Sequence, residues 1–99
     1  MNKATKKKIA AALDVMEDQE IAFVWNSSYS AVHNAKTSQL GGLKPGSRRD
    51  SAAPNLYWVA MFESKNKQII PPPLIQASFA TEPDTATAVA GLRVALENA

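Results

Sequence analysis

Apolar residues recur at i, i+4 and i+7 as Ile9, Leu13 and Met16, with Ala12 filling between them, and Thr5 to about Glu17 contains no Gly or Pro. That spacing predicts an amphipathic helix with one buried stripe. Ile21 to Trp25 is rich in β-branched and aromatic residues and predicts a short strand, with Ile21, Phe23 and Trp25 on one face. The strongest strand pattern runs from Leu56 to Phe62. Leu56, Trp58, Ala60 and Phe62 line one face there, and Tyr57, Val59 and Met61 line the other. Ser64 to Gln68, with Asn66 at the centre, supplies turn chemistry, and Ile69 to Ala80 returns as a strand interrupted by Pro71, Pro72 and Pro73. Proline offers no ladder donor, so this return strand is expected at a sheet edge or only from Leu74 onward. A second helix follows. Thr81 is its expected N-cap, with Asp84 three residues on and Pro83 in the first turn. Val89, Leu92 and Leu96, flanked by Ala88 and Ala95, form its buried stripe, and Gly91 within the helix signals close packing onto a sheet.

The expected fold is therefore α+β, a single small domain over residues 1–99 in the order α-β-β-β-α. It has an antiparallel three-stranded meander and a long loop or hairpin arm between strands 1 and 2. That connection, residues 26–54, holds six Ser, three of the four Gly, two Pro and His33. Either the first strand continues through Tyr29, Ala31 and His33 into a hairpin arm tipped by Leu40 to Gly46, or Tyr29 to Lys36 forms a short helix. Residues 26–54 are expected to form a flexible basic loop or arm, with Gly41 to Arg49 as its mobile tip. Contact residues concentrate on such loops.

Composition narrows the chemistry. The 99 residues, 45% hydrophobic and 20% charged, suffice for one core. With no Cys there is no disulfide, thiolate nucleophile or Cys-ligated metal, and His33 is the single histidine. No apolar run approaches the roughly 18–20 residues that span a bilayer. The lysines before Ile9 to Leu13 superficially resemble a secretory signal, but the apolar stretch is short and meets Asp14 at once, so a cytoplasmic location is expected.

The formal net charge of +2 hides blocks: +4 over residues 1–8 (Lys3, Lys6, Lys7, Lys8), −4 over 9–25 (Asp14, Glu17, Asp18, Glu20) and +3 over 26–54 (Lys36, Lys44, Arg48 and Arg49 less Asp50). The first helix thus has lysines at its start and acids at its end, against the helix macrodipole.

Reactive constellations are missing from the pattern. Gly41 to Ser47 has the glycine spacing of a phosphate loop, but Ser47 stands where the essential Lys belongs, and a strand follows instead of a helix. No nucleophile elbow accompanies His33. Asp14, Glu17 and Asp18 share a helical face and read as a solvated acidic surface. No cofactor, metal or small-molecule substrate is expected, and no enzymatic activity.

The two-sided strand suggests a binding function. If both helices cover the Trp58 face, then Tyr57, Val59, Met61, Ile75 and Phe79 form an open apolar strip of the kind that meets a partner. Lys44, Arg48 and Arg49 on the loop, with Lys6, Lys7 and Lys8 at the N-terminus, would add charged contacts to a partner or polyanion. The expected function is a non-catalytic interaction module of adaptor or inhibitor type, its partner another protein or a second copy in a homodimer.

The alternative is a nucleic-acid-binding accessory protein. The element order resembles that of double-stranded RNA-binding domains, and a basic arm is similar to that of histone-like architectural proteins. The first family has lysines where the last helix begins, whereas this chain has Thr81-Glu82-Pro83-Asp84, and the second has a different element order. Support for this alternative rests on the basic residues alone.

Overall fold

The computed structural model describes residues 1–19, 21–52, 55–64 and 72–99. Helix α1 (Lys3–Asp18) begins at Asn2, whose side-chain oxygen accepts the Thr5 N–H at 2.8 Å. This cap satisfies one of the orphan donors in a first turn that carries lysine rather than acid. Ile9, Ala12, Leu13 and Met16 form its buried stripe.

Helix α2 (Thr85–Glu97) is capped by Asp84 rather than by Thr81. The Asp84 carboxylate accepts the Thr87 N–H at 2.8 Å. Thr81 to Pro83 stay outside the helix because they are used otherwise: Pro83 is buried, and Glu82 accepts the Trp25 indole N–H at 2.8 Å. Thr85 Oγ1 also donates to the Ile21 carbonyl at 3.1 Å, tying the start of α2 to the chain that follows α1. Between the helices, Arg93 Nη2 donates to Asp14 Oδ1 at 2.7 Å and Glu17 Oε2 at 2.9 Å. The acidic face of α1 is thus part of the helix contact.

Four antiparallel strands, β1 (Ser30–Ala31), β2 (Leu43–Asp50), β3 (Leu56–Glu63) and β4 (Ile75–Phe79), form one sheet in chain order. The α+β class and the α-β-β-β-α frame hold, with one strand more than expected. That strand is β2. The expected loop tip is instead paired with β3 along its whole length, from Leu43 opposite Glu63 to Asp50 opposite Leu56.

Pro45 and Gly46 make β2 look like a turn in the sequence, yet the fold accommodates both. The Arg49 N–H points away from β3, to the Asn26 carbonyl, and the Pro45 nitrogen, four residues earlier in the strand, lies on that same side. There β1, which pairs only with Ser47 and Gly46, does not reach it. No strand partner calls on the donor that proline lacks.

The strand expected over Ile21 to Trp25 does not join the ladder. It is held by one bridge, Ala22 with His33, and by the buried Ser47 hydroxyl, which accepts the Val24 N–H at 3.1 Å and donates to the Val24 carbonyl at 2.9 Å. A short 3-10 helix (Thr37–Leu40) then buries Leu40 and turns through Gly41 and Gly42, at φ 65° and 85°, into β2. Those angles favour glycine at both positions. The return strand begins only at Ile75, after the prolines, and is the last strand of the sheet among the described residues, while residues 65–71 of the expected turn and strand lie outside them.

Both helices pack on one face of the sheet. Ile9, Leu13, Met16, Val89 and Leu92 meet Leu43, Val59, Met61 and Ile75 in a single core. The Trp58 face therefore carries no helix, the reverse of what the docking argument from sequence assumed. Close approach decides the side. A Cβ on Gly91 would lie 2.6 Å from Phe79 Cζ and 3.3 Å from Ala77 Cβ, so α2 sits directly on the face that Phe79 and Ala77 share with Val59 and Met61.

A candidate docking surface on the helix-free face

Strand alternation and register build this surface. Lys44, Gly46, Arg48 and Asp50 of β2 stand opposite Phe62, Ala60, Trp58 and Leu56 of β3, and Gln76 and Ser78 of β4 stand opposite Ala60 and Trp58. Gly46 and Ala60 are small, paired neighbours in the middle of this face, and both are buried.

Tyr29, just before β1, reaches over this face. Its ring meets the Phe62 ring edge-on at 5.1 Å, and its hydroxyl donates to Gln76 Oε1 at 2.9 Å on the far strand. Ala60 and Phe62 are thereby closed off, at 0% and 4% exposed, with no helix above them. Gly46 is part of the same fit, since a Cβ there would lie 2.9 Å from Phe62 Cε2.

Arg48 organises the remainder. Its guanidinium carbon lies 5.2 Å from the Tyr29 ring centroid and 5.1 Å from that of Trp58, and Nη1 is 3.9 Å from Asp50. A cation held against two rings limits the rotamers of all three side chains, each contact contributing about 0.5–1 kcal/mol at an exposed site. The buried Trp58 indole N–H has no acceptor among the described residues. Among the described residues Trp58 is positioned by the Arg48 contact and by packing. The patch is half-exposed and rimmed by Lys44, Gln76 and Ser78, which are open to solvent.

The strip expected to be open is placed elsewhere. Tyr57, Val59, Met61, Ile75 and Phe79 all lie on the helix-covered face, where Val59, Met61 and Ile75 are 2%, 0% and 5% exposed. They are core residues because both helices chose their side. Tyr57 and Phe79 are half-buried at its margin, and Tyr57 packs edge-on against Trp25 at 5.0 Å beneath the Arg49 guanidinium at 5.4 Å.

The basic residues are divided. Lys44 and Arg48 share the helix-free face, whereas Arg49 points to the other side. Lys6, Lys7 and Lys8 belong to α1, and the Lys8 side chain lies alongside Gly41 and Gly42. His33 is exposed, and its contact with Ala22 is made by backbone.

Sequence reasoning missed Tyr29 and Trp58 as the heart of the open face. Gly91 signals a close approach to a sheet in the sequence, but that the approach is to Ala77 and Phe79, and so to their face, is set by the fold.

Comparison of the chain with known protein families, curated proteins and solved structures finds no match. Among the described residues, no helix is long and apolar enough to cross a membrane.

Proposed function

We propose that this chain is a non-catalytic protein-binding module of the adaptor or inhibitor kind, docking through the helix-free face with Trp58, Arg48 and Tyr29 at the centre. The observation that carries this reading is the Arg48 guanidinium lying over both the Tyr29 and the Trp58 ring on a sheet face that no helix covers. Trp, Tyr and Arg dominate the energetics of protein interfaces. Here their mutual packing has already restricted them, which reduces the ordering cost of association.

The same geometry weighs against nucleic acid. Base stacking needs open ring faces, and Arg48 takes up one face of each of these rings. Among the described residues, Lys44 and Arg48 are the cations of this face, since the α1 lysines are carried by the opposite layer.

The test uses the full chain as bait, with Trp58→Ala and Arg48→Ala beside it, followed by purification of any protein that the wild type alone retains. Calorimetry with that purified protein is expected to show Trp58→Ala weakening binding roughly 30-fold, about 2 kcal/mol. Lys3→Ala is expected to bind as the wild type does. Saturable, steeply salt-dependent binding of oligo(dT) or oligo(U), abolished by Trp58→Ala, would establish the nucleic-acid reading instead.

A further inference from the structure

The two edges of the sheet are built differently. At one edge β1 is two residues long, and beyond it Arg49 N–H is satisfied by Asn26. Shortness and coverage are common ways of blunting a sheet edge. At the other edge β4 pairs with β3 alone among the described residues. Ile75, Gln76, Ala77, Ser78 and Phe79 contain neither a charge nor a proline, and the uncharged run continues through Ala80 and Thr81. None of the usual chemical guards against strand pairing is present in β4.

The layer above this edge has the same character. In α2, Leu92 is buried in the core, Arg93 faces α1 and Gly91 sits on Phe79 and Ala77. At about 100° per residue, Thr87, Gly91 and Val94 then lie along the flank of the helix above β4. Val94 is 56% exposed, and with Met1 it is one of two large hydrophobic side chains so open among the described residues.

We infer that β4 is a self-pairing edge, through which two copies of this chain join antiparallel about a two-fold axis into one eight-stranded sheet, with their α2 helices side by side and Val94 at the helix contact. A two-fold interface sets the same patch against itself, so charged residues near the axis would confront their like. The β4 run and the Thr87, Gly91 and Val94 flank are free of charge and meet that condition in both layers. A second copy fits better than a foreign extended peptide, because a lone peptide would pair with β4 and leave Val94 in water. The inference stands apart from the proposed docking function, although such a dimer would carry two Tyr29–Arg48–Trp58 patches on one continuous sheet face.

Sedimentation equilibrium of the full chain from micromolar to millimolar concentration tests it. The wild type is expected to shift from monomer to dimer. Ser78→Lys and Val94→Lys, both at exposed positions, are expected to remain monomeric throughout, with the circular dichroism and melting temperature of the monomeric wild type. Amide exchange in β4 is expected to slow as the wild type dimerises. A wild type that stays monomeric at millimolar concentration overturns the inference, as does a dimer that both lysine variants leave intact. A dimer lost only on Trp58→Ala also overturns it, and assigns self-association to the helix-free face.

Discussion

The buried hydroxyl of Ser47 stands in for a strand partner. It is the buried polar side chain among the described residues, fully enclosed, and it satisfies both the N–H and the carbonyl of Val24. Ser47→Ala therefore orphans two backbone groups beside the core, at an expected cost of about 1–3 kcal/mol. Urea unfolding reads that loss, and amide exchange at Val24 locates it: exchange there should accelerate well beyond that of the β2–β3 ladder. Unchanged exchange at Val24 would show that other contacts hold the segment. From the sequence, Ser47 is one of six serines in a stretch with three glycines, and Pro45-Gly46-Ser47 reads as turn chemistry. Its role was not legible because it depends on Val24, which becomes a neighbour only when the strand has been placed.

At the scale of elements, the periodic stripes made both helices legible, and the boundaries shifted for identifiable reasons. The second helix starts three residues later than a Thr81 cap predicts, because Glu82 and Pro83 are engaged by Trp25 and the interior. Asp84 then caps α2, and its pKa lies below the ordinary 3.8, chiefly through the Thr87 backbone N–H and next through the Thr87 side chain. A carboxylate depressed in the folded state contributes stability that is fully present above its unfolded pKa and is lost as the pH falls through the folded value. Asp84→Ala is accordingly expected to lower the melting temperature at neutral pH, with the gap from wild type closing as the pH falls below 3.8. Calorimetric scans across that range check it, and a gap that is independent of pH would mean that ionisation of Asp84 contributes nothing. Ile21 to Trp25 is the counter-case. Its composition is that of a strand, yet β1 holds the neighbouring edge of β2, so the segment is tied by Ser47, a single bridge and the bonds of Ile21 and Trp25 to Thr85 and Glu82.

For the whole molecule, the decisive feature is which side of the sheet the helices cover. Both faces of Leu56 to Phe62 are apolar, so alternation alone was indifferent between them, and the sequence reading assigned the open strip to the face that becomes core. The structure buries one face beneath both helices and leaves the other without one, and this has a measurable consequence. Met61 is fully enclosed beneath the helices, and Met61→Ala should cost about 2–5 kcal/mol. Arg48 contributes two cation–π contacts and a long ion pair at a side chain 26% exposed, so Arg48→Ala should cost at most about 1–2 kcal/mol. Urea unfolding of the two variants beside the wild type measures the ratio. A much smaller loss at Arg48 fits a surface whose order serves binding more than folding. An equal loss would mean that Tyr29, Arg48 and Trp58 form a second core holding the sheet flat from its uncovered side, and the docking role would then lose its main physical support.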